Sequence, residues 1–246
     1  MELVQGSGFV LSNFLGIQGK IFDVDAFKKS IVAKSPESID AEWKKFAGKS
    51  LKDTNLENPE DVSMLHAFVK ERGYYKHSVI NFLLAHKDTP NKPNVIFDVT
   101  LKDLDKLQEL SNWVTKYGGY SPANIHIVWI ANSFNVAVAQ NNARERKVSG
   151  EIMVQTHTGA SLTMKALIQK TNEYRKYADG TIWAFFNQAM VDNVLTKTGN
   201  KKNEFIVDRY TAILLKDKGK PATPYDQIQS QIIDKINSYV PAGARW

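Results

Sequence analysis

Apolar residues follow two rhythms along this chain. Short unbroken runs predict strands: "KIFDV" at Lys20–Val24, Val95, Ile96 and Phe97 within "KPNVIFDVT", and "NIHIVWIA" at Asn124–Ala131. Unbroken runs of this kind suit strands covered on both faces. "TIWAFFNQA" and "EFIVDRYTAILLKDKGKP" read as further strands near the C-terminus. Between them the spacing changes to that of a helix. In "PEDVSMLHAFVKERGYYKHSVINFLLAH" the apolar positions Val62, Leu65, Phe68 and Val69 share one helical face. Glu60 and Asp61 stand in its first turn, where negative charge complements the helix dipole. "DAFKKSIVA" turns helical after the first strand, and "LKDLDKLQELSNWVTKYGGY" predicts an amphipathic helix closed by Gly118 and Gly119. "SFNVAVAQNNARERKV" predicts another helix, which resumes after a break at Ser149–Gly150. The polar residues 35–60, punctuated by Pro36 and Pro59, predict a short helix and a loop, and the tail "PYDQIQSQIIDKINSYV" an amphipathic helix.

Strand and helix thus alternate through the middle of the chain, which predicts an α/β fold with a parallel sheet and crossover helices. With no internal repeat, low-complexity tract or linker, residues 1–246 are expected to form one domain, mainly helical at about 35–90 and at the C-terminal tail. The 43% hydrophobic content supplies a core, and 24% charged residues is ordinary. The chain has no cysteine, which excludes a disulfide framework and a thiolate metal site. A reducing cytoplasm fits that composition. No apolar run reaches membrane-spanning length, and "MELVQGSGF" lacks the basic region and long apolar core of a secretion signal, so no membrane partner is expected. The net charge of +6 suits an anionic ligand such as a nucleotide. Its lysines are scattered, as in "AFKKS", "EWKKF" and "GNKKNEF", and form no dense basic arm. A solvated lysine surface is favoured over nucleic-acid binding, which would use "KDKGKP" at Lys216–Pro221.

Four clusters carry candidate chemistry. Gly6, Ser7 and Gly8 let several backbone N–H groups face one point, and a helix starting near Phe9 would add its positive end. The result is either a phosphate cradle or an ordinary turn. Asp23 and Asp25, two residues apart after the first strand, are expected to point to one side of it. Ligands of open α/β sheets bind beyond the carboxyl ends of strands, where a carboxylate can hold Mg²⁺ or take a hydroxyl proton, and Asp23 is expected to bind substrate there. Asp25 could equally cap the following helix, and the two roles can coexist. Asp98 and Thr100, after "VIF", are expected to share one face, with Asp98 orienting Mg²⁺ through water and Thr100 contacting substrate; a cap for the next helix is the other reading of Asp98. Arg144 and Arg146, with Lys147, gather positive charge at a helix end, where arginine forks stabilise a transferring phosphoryl group. An arginine pair of this kind is otherwise surface solvation.

Taken in order, "KIFDVDAFKK", "NVIFDVTLKDLDKL" and "NIHIVWIANSFNVAVAQNNARERKVSGEIMVQTHTG" resemble the zeta-toxin-like P-loop kinases, especially phage-encoded versions. The resemblance runs from about Gly6 to Thr163, and its most specific part is the Asn-x-x-Arg-x-Arg stretch at Asn141–Arg146 followed by "THTG". It implies a P-loop NTPase-like, three-layer α/β/α fold and transfer of the γ-phosphate of ATP, with Mg²⁺, to a hydroxyl of a small-molecule or nucleotide-sugar acceptor. Asp25 then corresponds to the general base, Thr100 to the substrate-contacting threonine, and Arg144 and Arg146 to lid arginines. Thr156 and His157 match a recurring pattern read as structural hydrogen bonding. An antitoxin-like or phage protein partner and a bacterial cytoplasmic setting are also implied. The departure lies at the loop: Phe9 and Val10 occupy the places of the Walker A lysine and its following Ser or Thr. Loss of that cation implies weak nucleotide binding, or an inactive fold kept as a nucleotide- or nucleic-acid-binding or assembly module of a phage.

Overall fold

The computed structural model describes residues 16–142, 148–187 and 210–246. The chain is α/β, with two small sheets among the described residues. Its internal contacts divide it into two compact units, the described part of the first being 18–99 and of the second 16–17, 100–142, 148–187 and 210–246.

The first unit opens with β1 (Lys20–Asp23). Helix α1 (Val24–Lys34) follows at once because the Asp23 carboxylate accepts the Asp25 N–H at 2.8 Å and caps it. α1 stops where Ser35 turns left-handed, one residue before Pro36. Residues 35–60 hold α2 (Glu37–Ala47) and a 3₁₀ turn at Leu51–Asp53. Asp40 joins these two, accepting from the Ser50 hydroxyl and the Leu51 N–H at 2.9 and 2.7 Å. The periodic stretch after Pro59 forms two helices rather than one, α3 (Pro59–Arg72) and α4 (Tyr74–Ala85). Gly73 breaks them by adopting a φ of 66°. Trp43, Leu51, Leu65 and Phe68 are fully buried between these helices and form the core with Ile31 and Val69. β2 (Val95–Asp98) then returns beside β1 in parallel. Its residues are half-buried rather than buried, as befits a sheet of two strands.

The second unit contains α5 (Leu104–Gly118), capped by the Asp103 carboxylate and closed by Gly119 at φ 64°. A 3₁₀ turn at Pro122–Asn124 takes the start of the predicted strand, and β3 is Ile127–Asn132. Next come α6 (Phe134–Asn142), α7 (Gly150–Gln169) and the single turn α8 (Thr171–Tyr174). β4 (Ile182–Asn187) pairs parallel with β3, and β5 (Tyr210–Lys216) pairs antiparallel with β4. The sheet is therefore mixed where the alternation predicted a parallel one. The tail forms α9 (Ser230–Tyr239), and Trp246 folds back to stack on Trp129, ring centroids 6.1 Å apart and nearly parallel. The Trp246 indole N–H donates to the backbone oxygen and the hydroxyl of Ser161 on α7. This core gathers Ile127, Met164, Leu167, Phe186 and Ile236 around the sheet.

Candidate active site at the carboxyl ends of β1 and β2

The register of the first sheet runs from Lys20 opposite Val95 to Asp23 opposite Asp98. Both strands therefore end on an aspartate at the same level, on the edge where α/β sheets bind ligands. Neighbouring strands lie about 4.8 Å apart, and like charges directly opposite each other are unfavourable. The Asp23 carboxylate is already engaged by the Asp25 N–H.

Each sequence-predicted acid finds a distinct place. The strand ends at Asp23, so Asp25 is not a strand residue two positions on; it sits in the first turn of α1. The helix cap is Asp23, which leaves the Asp25 side chain to other work. Asp25 is 6% exposed, and its carboxylate lies 2.5 Å from the Lys28 ammonium one turn along the helix. Asp98 does not cap α5 either, because Asp103 accepts the Lys106 N–H at 2.8 Å. Both cap readings therefore pass to other aspartates. Thr100 lies past the end of β2 instead of on it, so strand alternation does not align it with Asp98. The backbone just after it is strained, since Leu101 holds a φ of 40°.

Lys28 is the residue that sequence reasoning missed. "AFKKS" counts among the scattered lysines by composition, yet Lys28 is as buried as Asp25. The Asp-x-x-Lys spacing on a helix was the signal available for it. Gly6, Ser7 and Gly8, and Arg144, Arg146 and Lys147, lie outside the described residues.

The "THTG" stretch falls on α7. Thr156 is buried, and the His157 ring stands edge-on to Phe134 with burial pushing its pKa down, which keeps it neutral. Gly159 is required by close approach: a Cβ there would lie 2.6 Å from the Lys102 carbonyl oxygen, in the turn that follows Thr100.

A second polar cluster organises the strand ends of the other unit. Lys216 on β5 is 3% exposed, and its ammonium donates to the carbonyls of Asp179, Gly180 and Asp217 at 2.9–3.2 Å. The Asp179 carboxylate neutralises it at 3.0 Å and also receives a two-pronged Arg175 guanidinium at 2.8 and 3.0 Å. The Arg175 hydrogen bonds, reinforced by Lys216 against the opposing effect of burial, hold the Asp179 carboxyl down to about 2. Lys216, the first residue of "KDKGKP", is thus an internal group. Lys220 pairs with Asp217, and the Lys218 ammonium donates to the Asn124 side-chain oxygen.

No group of three or more His, Asp or Glu side chains able to hold a metal ion occurs among the described residues. Among them, no helix is long and apolar enough to cross a membrane. Comparison with family models, curated proteins and solved structures finds no match for this chain.

Proposed function

We propose that the protein is an ATP-dependent phosphotransferase of the zeta-toxin-like kind, built on a P-loop NTPase-like three-layer fold. The observation that carries this reading is the β1–β2 register, which ends both strands on aspartates, with the buried Asp25 one turn into the next helix. Two parallel pairings with intervening helices, β1–β2 and β3–β4, also support it. Asp98 offers hard oxygen donors of the type Mg²⁺ takes, and Mg²⁺ uses one or two carboxylates beside waters and substrate phosphates; Asp23 would contact the substrate. When bound, the ion would neutralise charge on the phosphates. Asp25 would accept the proton of the attacking hydroxyl, Thr100 would hold the acceptor, and Arg144 and Arg146 would stabilise the transferring group. Gly6, Ser7 and Gly8 would cradle the phosphates. The acceptor is a small molecule or nucleotide sugar.

A second reading has its own observation. Phe9 and Val10 replace the Walker lysine and hydroxyl, which favours an inactive nucleotide- or nucleic-acid-binding or assembly module. Thermal unfolding with millimolar ATP, with and without Mg²⁺, tests both. A Mg²⁺-dependent rise in Tm with ATP turnover lost in Asp25→Asn supports the kinase. A rise without turnover supports the binding module, and no shift at all removes both nucleotide readings.

A further inference from the structure

We propose that Lys28 is a positioning residue for Asp25, holding its carboxylate at the first turn of α1 in the orientation from which it receives the acceptor's proton. The inference rests on the phosphotransferase reading and adds a residue to it. The two side chains are 7% and 8% exposed and 2.5 Å apart, on successive turns of α1. An exposed pair with this spacing would contribute little to stability. Burying both ions carries a desolvation cost that the attraction between them only offsets. An apolar pair of similar size would pack in the same place at no such cost, so stability is a poor reason for charged groups here. Fixing a functional carboxylate is a better one.

The local geometry favours that role. Asp23 accepts the Asp25 N–H and so sets the backbone of the first helical turn. Lys28 then sets the side chain, through Asp25 Oδ1. A neighbouring cation weakens a carboxylate as a base, but phosphoryl transfer passes through a loose transition state in which orienting the hydroxyl counts more than early proton removal. In the step itself, the acceptor oxygen forms its bond to the γ-phosphorus while the bond from that phosphorus to the bridging oxygen breaks. The electron pair leaves with ADP, and the hydroxyl proton passes to Asp25. Lys28 stays charged throughout and faces a neutral Asp25 only until that proton departs.

The test measures transfer of label from γ-labelled ATP with Mg²⁺, to UDP-glucose and to water, for the full chain carrying Lys28→Met, Lys28→Gln or Lys28→Arg. Urea unfolding of each variant is run alongside. The expected result is a kcat at least tenfold lower in the Met and Gln variants, with KM for ATP within twofold of wild type, and substantial recovery in the Arg variant. Wild-type kcat in a folded Met or Gln variant would overturn the inference. So would a kcat that falls only in step with the folded fraction and is not recovered by Arg. A wild-type chain that transfers no label and shows no ATP-induced Tm shift fails differently, since it removes the phosphotransferase reading itself and this inference with it.

Discussion

Replacing Asp179 by Asn gives the sharpest test of the energetics described above. The change keeps the shape of the side chain and removes the charge that faces Arg175 and Lys216. The folded carboxyl titrates at about 2 against 3.8 for the unperturbed group. At about 1.4 kcal/mol per unit, that gap represents about 2 kcal/mol of stability. Little is lost to solvent screening, because the side chain is only 16% exposed. Since the folded value is the depressed one, the contribution is present in full above the unfolded value of 3.8 and disappears as pH falls through about 2. At neutral pH the variant also leaves the Lys216 ammonium, 1% exposed, without its counter-charge. Removing one partner of a buried pair costs about 3–5 kcal/mol. The three carbonyls that still surround Lys216 should hold the loss near the lower end, about 3 kcal/mol. Urea denaturation followed by tryptophan fluorescence reads this unit through Trp113, Trp129, Trp183 and Trp246. Asp179→Asn should lower the unfolding free energy by that amount at pH 7 and flatten its dependence on pH between 4 and 2. The Asp179→Asn, Lys216→Met double variant should recover at least about 1 kcal/mol over the sum of the single losses. A single variant within about 0.5 kcal/mol of wild type, the spread of ordinary surface changes, would refute the reasoning.

Three further outcomes are expected. Gly159→Ala should lower Tm although alanine is the better helix former by about 1 kcal/mol; the clash with the Lys102 carbonyl should leave a net loss of about 1–3 kcal/mol, and an unchanged or higher Tm would count against it. Trp246→Phe should keep an aromatic face against Trp129 and lose the indole bonds to Ser161, a cost of about 1 kcal/mol by urea denaturation; an unchanged midpoint would show those bonds contribute nothing net. Asp103→Ala should cost about 1 kcal/mol as a lost cap, whereas Asp98→Ala should leave the α5 cap intact; amide exchange in the first turn of α5 distinguishes them, and equal loosening by both would contradict the assignment of the cap.

Local pattern carried most of the elements. The run Val95–Phe97 and the spacing of Val62, Leu65, Phe68 and Val69 fix a strand and a helix because burial of one face is decided within a few residues. Gly73 was harder to read: a single glycine is tolerated within helices, and only its left-handed backbone shows that it divides this one. The cap of α1 is Asp23, two residues before the Asp25 that one reading offered, because both aspartates satisfy the same rule. Sheet membership lay further out of reach. Whether β3 pairs with β4 and β4 with β5 depends on segments about 25–55 residues apart, and no local rhythm reports that. The same distance hid the burial of Lys216, whose counter-ion Asp179 lies 37 positions earlier. Of the candidate site, the aspartates were legible from their place after apolar runs, while the partnership of Asp25 with Lys28 emerged only once the helix gave the lysine a buried side.

The first unit enters and leaves at one doorway. Gly19 has room for no side chain against the Asn94 carbonyl, Lys20 N–H bonds that same carbonyl, and the Asn94 amide reaches back to Gln18. A segment whose two ends already touch can be excised, or rejoined by a short linker and reopened elsewhere, without stretching anything inside it. Residues 18–99 are therefore a natural fragment to produce alone, and they would carry Asp23, Asp25, Lys28 and Asp98 with them as one transferable set.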